Sequence, residues 1–595
     1  MKKRILLALV ALLAGFQLMN AIPARPGSFT VTQPDGTKLL VRLHGDEFAH
    51  WMTDLQGNVV RQDEDGFYRR VSAEEALQMR RGAPARRDAA REARAARAAK
   101  HVAIGEKHFL VVLVEFQDKA FSVQDPQAAF TALLNEPGYS VNGGTGSARD
   151  FYFDNSHSRF TPLFDVYGPV TVSEKMSYYG GNSGGSDKAP EEAVIEACQA
   201  LDGDIDFTQY DNDSDGKVDL VFMYYAGYNE AEGGSANTIW PHQWEISSAG
   251  KSLTLDGVKV DSYACTSELT GSWGKTMCGI GAACHEFGHA MGLPDFYDTD
   301  GSTNGYAAGM FFFSTMDSGS YNNGGRTPPY FNFEERILLG WLTESDYRAF
   351  SRTDDYTLTT VQDDVAYRTP TDMDGEYFVY ECRGSNGWDS GLEAHGLLVY
   401  HVDKSDRTVR INYGSVKASR LWSRWEQYNA INENGSHPCC YVVPAADQDN
   451  LFFGFGSFGG DYYFNDDDAP RIPFPGSEGV TEYTPVSWNG MDGQVSFSQI
   501  AYSQDAVNLR ATVNSGELDF LTIEDTGSYR VGDRFRFRLH RPASVAAPAS
   551  VVWYYDDEPA GAAAVTLTAG AHVVEARLTH ADGRQETLTL EIEVQ

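Results

Sequence analysis

Between Gly27 and Val71, apolar and polar residues alternate and are punctuated by Asp35-Gly36, Gln56-Gly57 and Asp65-Gly66. That pattern predicts several short antiparallel strands joined by tight turns. At Phe109 the pattern changes. "FLVVLVEF" is an unbroken apolar run of the kind that fills a strand buried on both faces. "PQAAFTALLN", "SARDFYFDNSHS" and "APEEAVIEACQAL" carry helical spacing, the second behind a Ser/Asp start signal, and "KVDLVFMYYAGY" is another buried strand. Strands and helices therefore interleave in a mixed α/β unit over about 105–342. Beyond Thr343 the helical signals fade. "GEYFVYECR", "HGLLVYHVD" and "QVSFSQIAY", separated by Gly, Asn and Asp clusters, predict a β-sandwich or jelly-roll-like domain over 343–514. "DRFRFRLH", "ASVVWYYDD", "AHVVEARLTHADG" and "TLTLEIEV" predict a separate Ig/PKD-like β domain over 515–595.

The chain opens "MKKRILLALVALLAGFQLMNA": a basic head, an apolar stretch too short for a membrane anchor, and small residues near Ala21. This reads as a secretory signal over 1–21, which makes the expected product an exported, extracellular or cell-surface protein. "MRRGAPARRDAAREARAARAAK", Met79–Lys100, is rich in Arg and Ala, without apolar periodicity and opposite in charge to the rest. An exposed linker of that kind invites trypsin-like cleavage, so 22–104 reads as a small β propeptide with its processing linker. A solvated charged helix with no processing role is the plainer reading of the same stretch. At 595 residues the chain exceeds what one hydrophobic core organises. A net charge of −35 argues against nucleic-acid partners and suits calcium binding. The seven cysteines are an odd number, so at least one has no partner within the chain, and pairing cannot be deduced from spacing.

The chemistry concentrates in "CHEFGHAMGLPDFYD", Cys284–Asp298. Positions four apart on a helix lie one above the other, so His285 and His289 face the same space, with Glu286 at the neighbouring edge. Gly292 is suited to end the helix in a left-handed conformation and turn the chain back, bringing Asp295 toward the imidazoles. Two His and one Asp leave a fourth position of a zinc ion open for water, and Glu286 is placed to act as the base. Cys278 lies too far along the chain to share that ion, about 10 Å of helix away.

The stretch "FSTMDSGSY" follows, where Met316 is placed to form a methionine turn, an apolar floor that is not itself a ligand. Tyr321 is a candidate for stabilising the oxyanion through its hydroxyl.

"HEFGHAMGLPDFYD", that Met turn, "SARDFYFDNSHSRFTPLFDVYGPV", "IWPHQW" and "PPYFNFEERILLGWL" together resemble the immune inhibitor A-like family of secreted bacterial zinc metalloendopeptidases. The resemblance spans Phe109–Leu342 and runs more loosely toward Val513. It implies a zymogen, a zincin (metzincin-like) fold, zinc held by His285, His289 and Asp295, and Glu286 as base. The substrates implied are proteins or peptides, with the chain's own propeptide as inhibitor. No cysteine precedes Cys198, so a propeptide thiolate cannot silence the zinc; His44, Asp46, Glu47 and His50 remain as polar candidates, and polar residues on a half-exposed strand are the plainer reading.

"DNDSDGKVD" sets Asp211, Asp213, Asp215 and Asp219 at calcium-loop positions with Gly216 between them, although Phe222 stands where a bidentate Glu belongs. The competing reading of the whole chain is an exported surface- or glycan-binding protein whose metal helix does no chemistry.

Overall fold

The computed structural model describes residues 19–20, 22–46, 50–63, 65–81, 103–182, 187–299, 307, 309–405, short pieces of 410–446 and most of 466–594. Nearly all of the leader, the Arg-rich stretch beyond residue 81 and Glu47 lie outside the described residues.

Strand β1 is the short Met19–Asn20. Strands β2 (Ser28–Thr32), β3 (Lys38–Gly45), β4 (His50–Asp54), β5 (Val59–Gln62) and β6 (Tyr68–Arg70) then form an antiparallel meander in sequence order. The turns at Gly36, Gly57 and Gly66 all have positive φ, which is why glycine follows the polar residue at each.

The main sheet is built on β7 (Gly105–Glu115), flanked in parallel by β8 (Phe160–Thr171) and β9 (Val221–Tyr225). β13 (Ser262–Ser267) runs parallel to β9, and β10 (His242–Glu245) closes the sheet antiparallel to β13. β1 pairs antiparallel with the free side of β10. Because side chains alternate across a strand, Phe109, Val111 and Leu113 enter one core while Leu110, Val112 and Val114 enter another. Helix α1 (Pro190–Ala200) covers the second core. Helices α2 (Pro126–Asn135), α3 (Ala148–Asn155) and α4 (Gly281–Ala290) cover the first. α3 starts on a reciprocal cap in which the Ser147 hydroxyl accepts from Asp150 N–H and the Asp150 carboxylate accepts from Ser147 N–H.

Downstream, β15 (Ala366–Pro370), β16 (Glu376–Arg383), β17 (Gly396–Asp403) and β18 (Cys440–Val443) form one antiparallel sheet. β14 (Asp354–Thr359), β20 (Ala506–Val513) and β19 (Val495–Ser503) form a second. Phe378, Tyr380, Leu397 and Val399 point toward that second sheet, as a sandwich requires. Tyr377, Val379, Leu398 and Tyr400 point the other way, into the same core as Phe109 and Phe287. The hydrophobic core therefore runs on past residue 342, and β16 and β17 form a middle layer buried on both faces. Near the C-terminus, Glu558–Ala560, Ser550–Tyr555, Gly570–Thr579 and Gln585–Val594 make a further sheet with its own small core around Phe535 and Val574.

Six of the seven cysteines are buried, where they pack as small apolar side chains. Among the described residues no helix is long and apolar enough to cross a membrane.

Candidate metal centre

Helix α4 lies close against its neighbours because glycine permits it. A Cβ on Gly281 would sit 1.9 Å from the Ser320 carbonyl oxygen, and one on Gly288 would sit 2.6 Å from Met316 Sδ. Met316 is thus buried against the helix at Gly288. Phe287 anchors the opposite face, edge-on to Phe109 with ring centroids 4.7 Å apart. Gly292 takes φ 100°, the left-handed turn that brings the chain back.

The turn brings three donors together. His285 Nε2 and His289 Nε2 are 3.1 Å apart, and Asp295 Oδ1 lies 3.3 and 3.2 Å from them. Each imidazole is oriented from behind: His285 Nδ1 is 2.9 Å from the Thr315 carbonyl and His289 Nδ1 is 2.9 Å from the Leu293 carbonyl. A carbonyl oxygen only accepts, so both Nδ1 atoms carry the hydrogen and both Nε2 atoms present lone pairs. Two nitrogen lone pairs and a carboxylate oxygen therefore face one another in a buried space, an arrangement that a bound cation satisfies. Its size is also right: a tetrahedral ion with bonds of about 2.0–2.1 Å holds its ligands about 3.3 Å apart. Burial pulls His289 below its ordinary value, in keeping with a neutral ring.

Glu286 is fully buried beside this triangle. Burial pushes its carboxyl well above the usual range, the Ile22 amide works against that push, and the Asp295 charge adds to it. A divalent cation among the three donors acts in the opposite sense. Glu286 Oε1 accepts the Ile22 N–H at 2.8 Å, while Oε2 has no hydrogen-bond partner among the described residues.

Sequence reasoning missed Ile22. The segment after β1 passes over Glu286: Trp240 Nε1 donates to the Ile22 carbonyl at 3.0 Å and the Tyr321 hydroxyl donates to the Pro23 carbonyl at 2.7 Å. Ile22 and Ala24 are buried with Leu43, Ala231 and Trp240. Tyr321, expected at an oxyanion, thus holds a peptide carbonyl two residues from Ala21. Of the polar propeptide candidates, His44 pairs with Thr53 at 2.7 Å, and His50 lies 3.3 Å from Glu230 while stacking on Trp240. Neither they nor Asp46 join the His285, His289, Asp295 group.

In the acidic loop, Asp211, Asp213 and Asp215 bring carboxylate oxygens within 4.8 Å of one another. Asp219 turns instead to Asn212, whose Nδ2 donates to it at 2.8 Å, and burial pushes its carboxyl up to about 6.

Residues 98–335 match a family profile described as "Immune inhibitor A peptidase M6, catalytic domain". This region is similar to the catalytic domain of the immune inhibitor A peptidases. The "Pre-pro-metalloprotease PrtV" of Vibrio cholerae serotype O1 is 28% identical over 246 residues, 37% of this chain and 26% of that protein. "Immune inhibitor A" of Bacillus thuringiensis subsp. alesti is 24% identical over 300 residues, 41% of this chain and 42% of that protein. The chain thus spans roughly a quarter to two fifths of these relatives' lengths. Crystalline OgpA from Akkermansia muciniphila aligns with 83% of this chain and 96% of its own at 11% identity, with a TM-score of 0.22, too low to carry an argument. The peptidase region holds every residue of the triangle, together with Glu286, Met316 and Tyr321.

Proposed function

We propose that the chain is an exported, zinc-dependent endopeptidase with a metzincin-like catalytic unit, made as a self-blocked precursor. The observation that carries this reading is the buried meeting of two imidazole lone pairs and a carboxylate oxygen, with the unpartnered Glu286 Oε2 next to them. His285, His289 and Asp295 would hold the zinc, which supplies a Lewis acid that acidifies water and polarises a peptide carbonyl.

The chain's own residues do the rest. Glu286 takes the proton of the attacking water and passes it to the departing nitrogen. Tyr321 donates its hydroxyl to the reacting carbonyl as it now does to that of Pro23. The outer edge of β10, which β1 occupies, offers a substrate strand backbone hydrogen bonds that are indifferent to its sequence. Met316 and Gly288 keep the helix floor dry and fixed. Protein or peptide substrates follow from that edge.

The contacts of Ile22 and Pro23 support the latency reading. With its Oε1 bonded to the Ile22 amide and Trp240 and Tyr321 gripping the flanking carbonyls, Glu286 cannot reach a substrate's water. Cutting the Arg-rich linker would free the segment 22–81 to leave, and a relative bearing the name of a pre-pro-metalloprotease is in keeping with such a precursor. The Asp211, Asp213, Asp215 cluster, with Asp219 nearby, is the proposed calcium loop, pinning the chain just before β9.

The test compares casein digestion by the trypsin-nicked chain and by Glu286→Gln, with and without a chelator. Glu286→Gln should lose about 10²- to 10⁴-fold in rate, and chelation should abolish digestion until zinc is returned. Equal digestion by both chains would remove the mechanism. N-terminal sequencing of the active form should begin between Arg80 and Gly105.

A further inference from the structure

We infer that Asn429, on the connection between β17 and β18, is a positioning residue for the metal centre. It locks the rotamer in which Asp295 presents Oδ1 to the two imidazoles, so the centre is completed by chain that lies outside the peptidase region. The inference rests on the zinc reading of His285, His289 and Asp295.

The contact is reciprocal. Asp295 N–H donates to Asn429 Oδ1 at 2.6 Å, and Asn429 Nδ2 donates to Asp295 Oδ2 at 2.5 Å. Together they fix which way the Asn amide faces, because only one orientation puts an acceptor and a donor in those places. They also divide the work of the carboxylate: Oδ2 is taken by the amide, and Oδ1 is left facing His285 and His289. An Asp on a loop otherwise turns broadly about its last torsion. Both Asp295 and the triangle are buried, so water is a poor substitute for the amide.

The clamp is itself held. Asn429 adopts φ 43°, a left-handed conformation that Asn tolerates better than most residues. Its carbonyl accepts from the Thr299 hydroxyl at 3.2 Å. Three residues on, Asn432 Nδ2 donates to the Phe296 carbonyl and the Cys440 carbonyl, each at 2.7 Å. Trp425 meets Phe296 edge-on at 5.5 Å. The loop carrying Asp295 is therefore gripped at the ligand and just beyond it by hydrogen bonds to chain 130 to 136 residues downstream. Partners of this kind, one bond behind a metal ligand, typically govern metal affinity by 10- to 100-fold.

The experiment uses the full chain and zinc alone as the probe. Asn429→Gly keeps the left-handed backbone accessible and removes only the amide; Asn429→Asp keeps the shape and the acceptor for Asp295 N–H but loses the donor. Zinc affinity is measured by competition with a chromophoric chelator, and melting temperature is measured in chelator and in zinc. The expected result is an affinity about 10- to 100-fold weaker in both variants and a smaller rise of melting temperature on adding zinc. Affinity within twofold of the parent in either folded variant would overturn the inference while leaving the zinc reading intact. A parent chain that binds no zinc would overturn both.

Discussion

Replacing Ile22 by alanine separates the two grips of the N-terminal segment on the catalytic cleft. The bond to Glu286 comes from the backbone and survives the change; what is lost is the side chain, 1% exposed and packed with Leu43, Ala231 and Trp240. Trimming a buried Ile to Ala costs about 2–5 kcal/mol. Trp240 and Ala231 belong to the peptidase region and Leu43 to the N-terminal meander, so this cost falls on closure more than on the folding of either part. At a factor of ten for every 1.4 kcal/mol, the open fraction of the uncut precursor rises roughly 30- to several-thousand-fold. The assay is the initial rate on a quenched fluorogenic peptide, using full-length precursor whose intact mass is verified before and after. Ile22→Ala should be far more active than the parent before trypsin and equal to it afterwards. Uncut Ile22→Ala with no more activity than the uncut parent would refute the idea that this segment holds the enzyme shut.

Three further outcomes follow from the same geometry. Burial alone would lower His50, but Glu230 beside it, with smaller help from the Asp46 carbonyl and carboxylate, raises it above its ordinary value. A raised docked value means that closure is fully supported below the ordinary histidine range and is lost as pH rises through the docked value; the uncut precursor should therefore leak more activity at pH 8.5 than at pH 6, and His50→Gln should flatten that profile. Gly281→Ala forces a methyl to 1.9 Å from the Ser320 carbonyl, a backbone group that cannot step aside, so the unfolding free energy from urea titration should fall by about 3 kcal/mol or the chain should fail to accumulate. Tyr321→Phe in the trypsin-nicked enzyme should lower kcat about 10- to 1000-fold with a small change in KM, and a change confined to KM would assign the hydroxyl to binding only.

What could be read from the sequence was whatever repeats with a local period. His285 and His289 are neighbours by helix geometry alone, Gly292 announced the turn that returns Asp295, and Met316 followed within a short Ser/Gly turn. β16 shows where that kind of reading stops. Its residues Glu376–Arg383 are buried without exception, because one face meets the second sheet and the other the peptidase core. A strand covered on both faces loses the alternation that would reveal a middle layer, so the sequence after 343 reads as a separate sandwich while one face of its sheet packs into the core that holds Phe109 and Phe287. The two contacts that govern the metal centre are further removed still. Ile22 reaches Glu286 across 264 residues, and Asn429 reaches Asp295 across 134. Each is a single polar group whose neighbours in sequence carry no sign of its partner. Both nonetheless act on the same few atoms: Ile22 occupies the base, and Asn429 orients the ligand. The local helix thus supplies the chemistry, while distant chain supplies the state in which that chemistry is held. Removing either distant contact should change when or how firmly the centre is assembled, with the sequence of the His-Glu helix untouched.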